Sequence, residues 1–456
     1  MNRTLLRLIL PFLGGLSVTA TTVPTRDDSW YQADTLKREE VGNRLITLAN
    51  DPRIRLEMAE PAVVMSGDGR QPFLFSTGAG TLLCQAQLTL PPFRSKDKQV
   101  FMLRMGTAIS RDGGKTWVAW THQAQHDDVN LEGGAVPCAD GTVLLLDTYV
   151  MKGAKPDHGV GELWKSRDDL RTVEGPFWVD FYLPHIHWAG STDDRGKAEA
   201  SARLHRSIIE LPDGDLLATL YARFDGDTAS AAYMPTMLKN RTVIVRSRDH
   251  GASWTYVSTV GVDSGVGTEG FVEPVLVRVN RGPHSGRLLC VMRTGRDLYQ
   301  SHSDDNGAHW VHPRAMALPG VDVYAIDQWE GLFGYDPGAP GYIPRDEMNG
   351  SLVDPELVQM RNGILACGFG FRAPEKRYKE NWHTPRNGDY IAFSLDGGDT
   401  WTHVVQFRSG APTTQYLGMR EILPGVLYVV YDDSMWKMPG HTQGFELKVT
   451  RVASPR

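Results

Sequence analysis

Six polar residues recur at the head of six similar segments, and their types could do chemistry together. They are Glu60 in Glu60-Pro-Ala-Val-Val, Glu132 in Glu132-Gly-Gly-Ala-Val, His205 in His205-Arg-Ser-Ile-Ile, Glu273 in Glu273-Pro-Val-Leu-Val, Asp354 in Asp354-Pro-Glu-Leu-Val and Tyr416 in Tyr416-Leu-Gly-Met-Arg. In each copy a glycine follows nine residues later, at Gly69, Gly141, Gly214, Gly282, Gly363 and Gly425. Carboxylates and an imidazole serve as general acids, bases and hydrogen-bonding groups for a bound ligand. A phenol with a pKa near 10 is a poor nucleophile alone. A carboxylate within hydrogen-bond reach can take its proton as it attacks. Glu132 with Glu273 would instead make a two-carboxylate glycosidase with no role for Tyr416.

The segments that carry these residues define the architecture. Each copy is a short apolar strand, a turn glycine and a second apolar strand, as in Gly214-Asp-Leu-Leu-Ala-Thr-Leu. Successive copies start 62 to 81 residues apart, room for four strands each. Strands bounded by Gly, Pro, Asn and Asp read as antiparallel β, and six such units in series predict an all-β, six-bladed β-propeller. The innermost strand of each blade lines the central funnel, so the six leading residues converge on one space. A short N-terminal helix is expected over roughly Asp34 to Leu48, where charged and apolar residues alternate at helical spacing.

A second motif agrees. Ser-x-Asp-x-Gly-x-x-Trp occurs as Ser110–Trp117, Ser247–Trp254, Ser303–Trp310 and Ser394–Trp401, with a decayed copy at Ser166-Arg-Asp168. The Asp accepts turn N–H groups, Gly supplies a permissive backbone and Trp packs beneath. This is the Asp-box (BNR repeat), a structural turn of the outer rim.

With these boxes and six units, the chain resembles the sialidase (neuraminidase) superfamily over essentially its whole length beyond the leader. The resemblance implies an exo-acting glycoside hydrolase. Tyr416 through Tyr431 resembles the family segment whose leading Tyr is the nucleophile. Glu273 through Arg293 resembles the segment holding the activating Glu and a substrate-clamping Arg. Arg372, with Arg377 close behind, stands where the resemblance puts another clamping arginine. The family's first arginine belongs to an Arg-Ile-Pro motif opening the first blade, where this frame finds Ala59-Glu60-Pro61. Glu60 beside an anionic sugar would repel it, so ordinary sialic acid is not the expected substrate. The family's general acid falls in the region of Asp97, with Glu60 as its rival. His205, Arg206, Glu132 and Asp354 are the remaining substrate-binding candidates. A polysaccharide lyase using funnel carboxylates or His205, and a non-catalytic glycan-binding propeller, are the competing readings.

Other features bound the function. Lys plus Arg number 48 against 54 Asp plus Glu, for a formal charge of -6, and no basic block appears, which argues against nucleic acid. Residues 1–20 read as a cleaved signal peptide, with Arg3 and Arg7 before an apolar run ending in Val18-Thr19-Ala20. Residues 21–50 form the helical segment and 51–456 the propeller. The protein is thus expected to be secreted or periplasmic, without a membrane span or cofactor, and with a glycan as partner. His185 and His187 share a strand face but lack a third ligand, so no metal is expected. Cys84, Cys290 and Cys367 occupy equivalent strand positions and read as buried hydrophobes rather than disulfides.

Overall fold

A computed structural model describes residues 42–453 apart from 66, 68, 90–92, 95–100, 121–128, 189–191, 195–196, 233–236, 325–348, 374–385 and 435–439. The leader at 1–20, the first part of the expected helix, Asp97 and Arg377 lie outside the described residues.

The chain is all-β. Its strands form successive antiparallel meanders, each running from an inner to an outer strand. The first is Arg70–Ser76, Leu82–Gln87, Met105–Ser110 and Val118–Ala119. The second is Ala135–Pro137, Val143–Lys152, His158–Ser166 and Glu174–Tyr182. The third is Ser201–Glu210, Leu216–Phe224, Arg241–Ser247 and Ser253–Gly261. The fourth is Val272–Arg278, Leu288–Arg293, Tyr299–Ser303 and Arg314–Ala315. The fifth is Ser351–Gln359, Leu365–Arg372, Gly388–Ser394 and His403–Ser409. The last is Leu417–Leu423, Val426–Asp432 and Thr442–Arg451. The second and third are joined through their outer strands, where Asp180–Tyr182 runs parallel to Ser253–Thr255.

Two expectations are corrected at the start of the chain. Gly42–Ala49 is a strand, antiparallel to His403–Ser409 on the edge of the fifth meander, so the expected helix does not reach Leu48. The backbone bonds offered by that open edge outweigh the local helical spacing. Ile54–Met58 pairs along Thr442–Arg451 and supplies the outer strand of the last meander. Glu60 therefore sits in the link between that strand and Ala62–Met65, and it is exposed. The inner strand of the first meander begins at Arg70 instead.

Inward-facing apolar side chains fill the seams between neighbouring sheets. Phe73 and Leu83 pack with Leu145 and Trp164 between the first and second, and Val275 and Leu289 with Leu357 and Cys367 between the fourth and fifth. Leu74 and Cys84 pack with Tyr428 and Val430, so the last sheet also lies against the first. Cys84, Cys138, Cys290 and Cys367 are buried free thiols, and burial pushes each thiol pKa up.

The Ser-x-Asp-x-Gly-x-x-Trp turns share one hydrogen-bond pattern. In the third meander Ser247 Oγ donates to Asp249 (2.8 Å) and accepts from the Gly251 N–H (2.8 Å), while Asp249 accepts from the Ser253 N–H (2.8 Å). The decayed copy keeps it, with the Leu170 N–H on Ser166 Oγ (2.9 Å) and the Thr172 N–H on Asp168 (2.8 Å). Leu170 holds a φ of 61° where the full copies carry glycine. At Gly114, with φ 91°, an added Cβ would lie 2.3 Å from the Tyr428 ring. That glycine lets the first sheet's turn press on the last sheet.

Candidate active site

Four of the inner strands share a local distortion. Register shifts fall between Arg70 and Phe73, Leu204 and Ile208, Val272 and Val275, and Val353 and Glu356. Within them Gln71, Arg206, Glu273 and Asp354 adopt positive φ, at 50°, 52°, 43° and 53°. Gln415, just before the last inner strand, has a φ of 61°. A bulge re-aims the side chain it carries, and a left-handed backbone at a non-glycine residue is strained by about 1–3 kcal/mol. Here Asp354 meets both of the others, with its carboxylate 3.0 Å from Arg206 and its N–H on Glu273.

Tyr416 and Glu273 meet directly. The Tyr416 hydroxyl donates to Glu273 Oε1 over 2.7 Å. Arg293, from the second strand of the fourth meander, donates from Nη1 to Glu273 Oε1 (2.7 Å) and to the Tyr416 oxygen (3.2 Å). Its Nη2 donates to Glu269 (2.8 Å). Glu273 Oε2 accepts the Asp354 N–H (3.2 Å). The Arg372 guanidinium lies 5.5 Å from the centre of the Tyr416 ring and bonds the Thr414 carbonyl (3.1 Å) and Gln415 (3.4 Å).

The electrostatics separate the two partners. Burial raises the Glu273 pKa, but the charge and hydrogen bond of Arg293 outweigh it and hold the carboxyl at about 2. Burial, and then the Glu273 charge, push the Tyr416 phenol well above its usual range. A neutral phenol thus donates to a carboxylate, with a guanidinium beside the phenol oxygen where negative charge would develop.

Behind this pair lies a buried polar hub. Arg206 Nη2 is 3.0 Å from Asp354 Oδ2 and 3.6 Å from Glu132, its Nη1 is 3.4 Å from Glu356, and its Cζ stands 6.0 Å from the Tyr416 ring. Arg206 also bonds the carbonyls of Pro72 (3.2 Å) and Leu417. It crosses the hub and ties four meanders together. His205, 3 % exposed, holds the Pro274 carbonyl through Nδ1 (3.2 Å). Burial lowers its pKa to about 4.

The structure therefore brings Tyr416, Glu273, Arg293, Arg372, Arg206, His205, Glu132 and Asp354 together and leaves Glu60 outside. Glu60 was misplaced because Glu60-Pro61 mimics Glu273-Pro274 and Asp354-Pro355. The cysteines carried the right frame. Cys84 stands opposite Leu74 as Cys367 stands opposite Leu357, which places Gln71 where the fifth meander has Asp354. In that frame the first inner strand opens Arg70-Gln71-Pro72, an Arg-x-Pro sequence, and Arg70 donates to the Leu88 carbonyl (3.4 Å). It is buried, and the next N–H, of Gln71, bonds Asp432 (3.0 Å) and Thr414 (3.3 Å), two residues from Tyr416. Glu269 and Glu356 also belong to the site, although neither heads a repeat. His185 and His187 are both exposed, and His187 lies 3.7 Å from Asp225.

Comparison with solved structures sets this geometry in context. The chain is similar to a protein of unknown function from Dyadobacter fermentans, at 16% identity and a TM-score of 0.57, covering 88% of this chain and 100% of that one. It is similar to an α-L-arabinanase from Penicillium chrysogenum complexed with arabinobiose, at 13% identity and a TM-score of 0.52, covering 86% and 98%. A third match is the NanB sialidase from Streptococcus pneumoniae, at 11% identity and a TM-score of 0.50, covering 85% and 70%. The likeness is one of fold. The chain is all-β, with the β-propeller-like fold seen in the two glycoside hydrolases among them. No family model and no curated protein matches it. No helix among the described residues is long and apolar enough to cross a membrane.

Proposed function

We propose that the chain is an exported, exo-acting glycoside hydrolase of the sialidase type, built as six blades around one axis and using Tyr416 as its nucleophile. The observation that carries this reading is the 2.7 Å hydrogen bond from Tyr416 to Glu273, with Arg293 on both oxygens. In the first step the Tyr416 oxygen attacks the anomeric carbon as Glu273 takes the phenol proton. The glycosidic bond breaks and its oxygen leaves with a proton from a general acid, for which Asp97 is the candidate. Water then attacks the glycosyl-tyrosine and gives a proton to the former general acid, now a carboxylate, while the proton held by Glu273 returns to the departing phenolate. Arg293 stabilises the phenolate character of both transition states.

Arg70 changes the expected substrate. Arg70, Arg293 and Arg372 come from the first, fourth and fifth meanders, and three guanidinium groups suit a sugar carboxylate. With Glu60 elsewhere, the objection to an acidic sugar disappears. The substrate is a terminal sugar bearing a carboxylate. A lyase using His205 as base is disfavoured by that ring's burial and its bond to Pro274. The four full Asp-box turns and the apolar run before Ala20 support the six-bladed, exported form.

The test is a panel of aryl glycosides of acidic and neutral sugars, with a slowly released fluorosugar as trap. A covalent adduct on the peptide containing Tyr416 supports the reading. Turnover unchanged in Tyr416→Phe, or turnover of neutral sugars alone, overturns it.

A further inference from the structure

A second constellation lies at the hub, behind the Tyr416–Glu273 pair. His205 Nε2 faces Glu132 Oε1 at 3.8 Å and Asp354 Oδ1 at 3.8 Å, and the donor atoms of the three residues lie within 4.8 Å of one another. These separations are too long for hydrogen bonds, whose usual limit is about 3.2 Å. His205 Nε2 and Asp354 Oδ1 have no hydrogen-bond partner, and both residues are at least nine-tenths buried, at 3 % and 0 % exposure. Two buried lone pairs aimed at one point, with a third carboxylate beside them, call for a cation.

We infer that Glu132, His205 and Asp354 bind a divalent transition-metal ion at the hub. Ligand atoms each about 2.1 Å from an ion can stand up to about 4.2 Å apart, which accommodates the two 3.8 Å separations. The surroundings are those of a ligating histidine: its other ring nitrogen meets the Pro274 carbonyl, which fixes the tautomer that leaves Nε2 free to ligate. Asp354 is oriented in the same way, since its Oδ2 is held by Arg206 and by the Leu417 N–H (3.1 Å) while Oδ1 points to His205. One imidazole and two carboxylates favour manganese, iron or zinc over calcium or magnesium. Arg206 opposes the ion, and Glu132, Asp354 and Glu356, which surround its guanidinium, supply the negative charge that offsets it. The ion would pin the strand starts that present Glu273, through the Asp354 N–H and Pro274. The site uses none of the proposed reacting groups, so it stands or falls apart from the hydrolytic reading.

The test takes the full chain, stripped with chelator and titrated with Mn²⁺ or Zn²⁺, with bound metal and melting temperature as readouts. About one equivalent should bind and raise the melting temperature. Glu132→Gln should weaken binding by at least about tenfold, and His205→Gln and Asp354→Asn more. Anomalous scattering from crystals of the Mn²⁺-loaded wild type should place the ion between the three side chains, whatever the variants' stability. No uptake by the wild type, equal uptake by the folded variants, or an anomalous peak elsewhere each overturns the inference.

Discussion

Tyr416 and Glu273 stand 143 residues apart in the chain, yet the phenol of one donates to the carboxylate of the other over 2.7 Å. Neither element alone makes this contact. It requires the bulge that gives Glu273 its φ of 43° and the convergence of the inner-strand heads, since the last inner strand packs against those of the first and fifth meanders rather than against the fourth.

Removing either partner should stop turnover without unfolding the chain. Tyr416→Phe keeps the ring and deletes the nucleophile, while Glu273→Gln keeps a hydrogen-bond acceptor and deletes the base. Positioned acid–base groups contribute about 10²–10⁴-fold. Each variant should lose at least about 10²-fold in kcat on an activated aryl glycoside, with circular dichroism unchanged.

Arg70 should decide which sugars are accepted. A charge-assisted hydrogen bond is worth about 1.5–3 kcal/mol, or about 10–10²-fold in kcat/KM. Arg70→Ala should lose that factor on a carboxylate-bearing glycoside and much less on its neutral analogue. Glu60→Gln, an exposed change in a connecting link, should alter neither value. Paired steady-state measurements on the two substrates check this.

The buried carboxyl of Asp389 should make stability fall with rising pH. Its Oδ1 has no partner, and burial, then the neighbouring Asp432, push its pKa well above the usual 3.8. The folded state therefore keeps a proton that the unfolded chain gives up above about pH 4, so the folded state binds more protons and loses stability as pH climbs towards the raised pKa. Asp389→Asn, which can still accept from Thr413, should flatten that slope. Urea denaturation at pH 4, 6 and 8 measures it.

The turn tryptophans should differ in weight. Trp254 is 0 % exposed and stacks on Phe181 with ring centres 5.9 Å apart, whereas Trp117 is only half-buried. Trp254→Ala should cost about 3–5 kcal/mol. Trp117→Ala should cost clearly less, measured by the same denaturation.

Much of this was legible in the sequence, for identifiable reasons. Alternating apolar strands with glycine turns report burial directly, so five of the six inner strands were placed from pattern alone. The Tyr416–Glu273 pairing was legible because both residues head a repeat and their two segments resemble the sialidase site motifs. What failed was local mimicry: Glu60-Pro61 copies the head of two true inner strands, and only the tertiary pairing of Ile54–Met58 with Thr442–Arg451 shows that this stretch belongs to the far end of the chain. The spacing over 34–48 failed for a similar reason, because an open sheet edge recruited Gly42–Ala49. The bulges were invisible, since Arg206, Glu273 and Asp354 are not residue types that announce a left-handed backbone.

The strand Ile54–Met58 completes a sheet whose other members come hundreds of residues later in the chain. The early segment must therefore wait, unpaired, until Thr442–Arg451 has been made. Sealing is then a late event in folding, and a truncation that trims either Ile54–Met58 or Thr442–Arg451 should leave the same exposed seam.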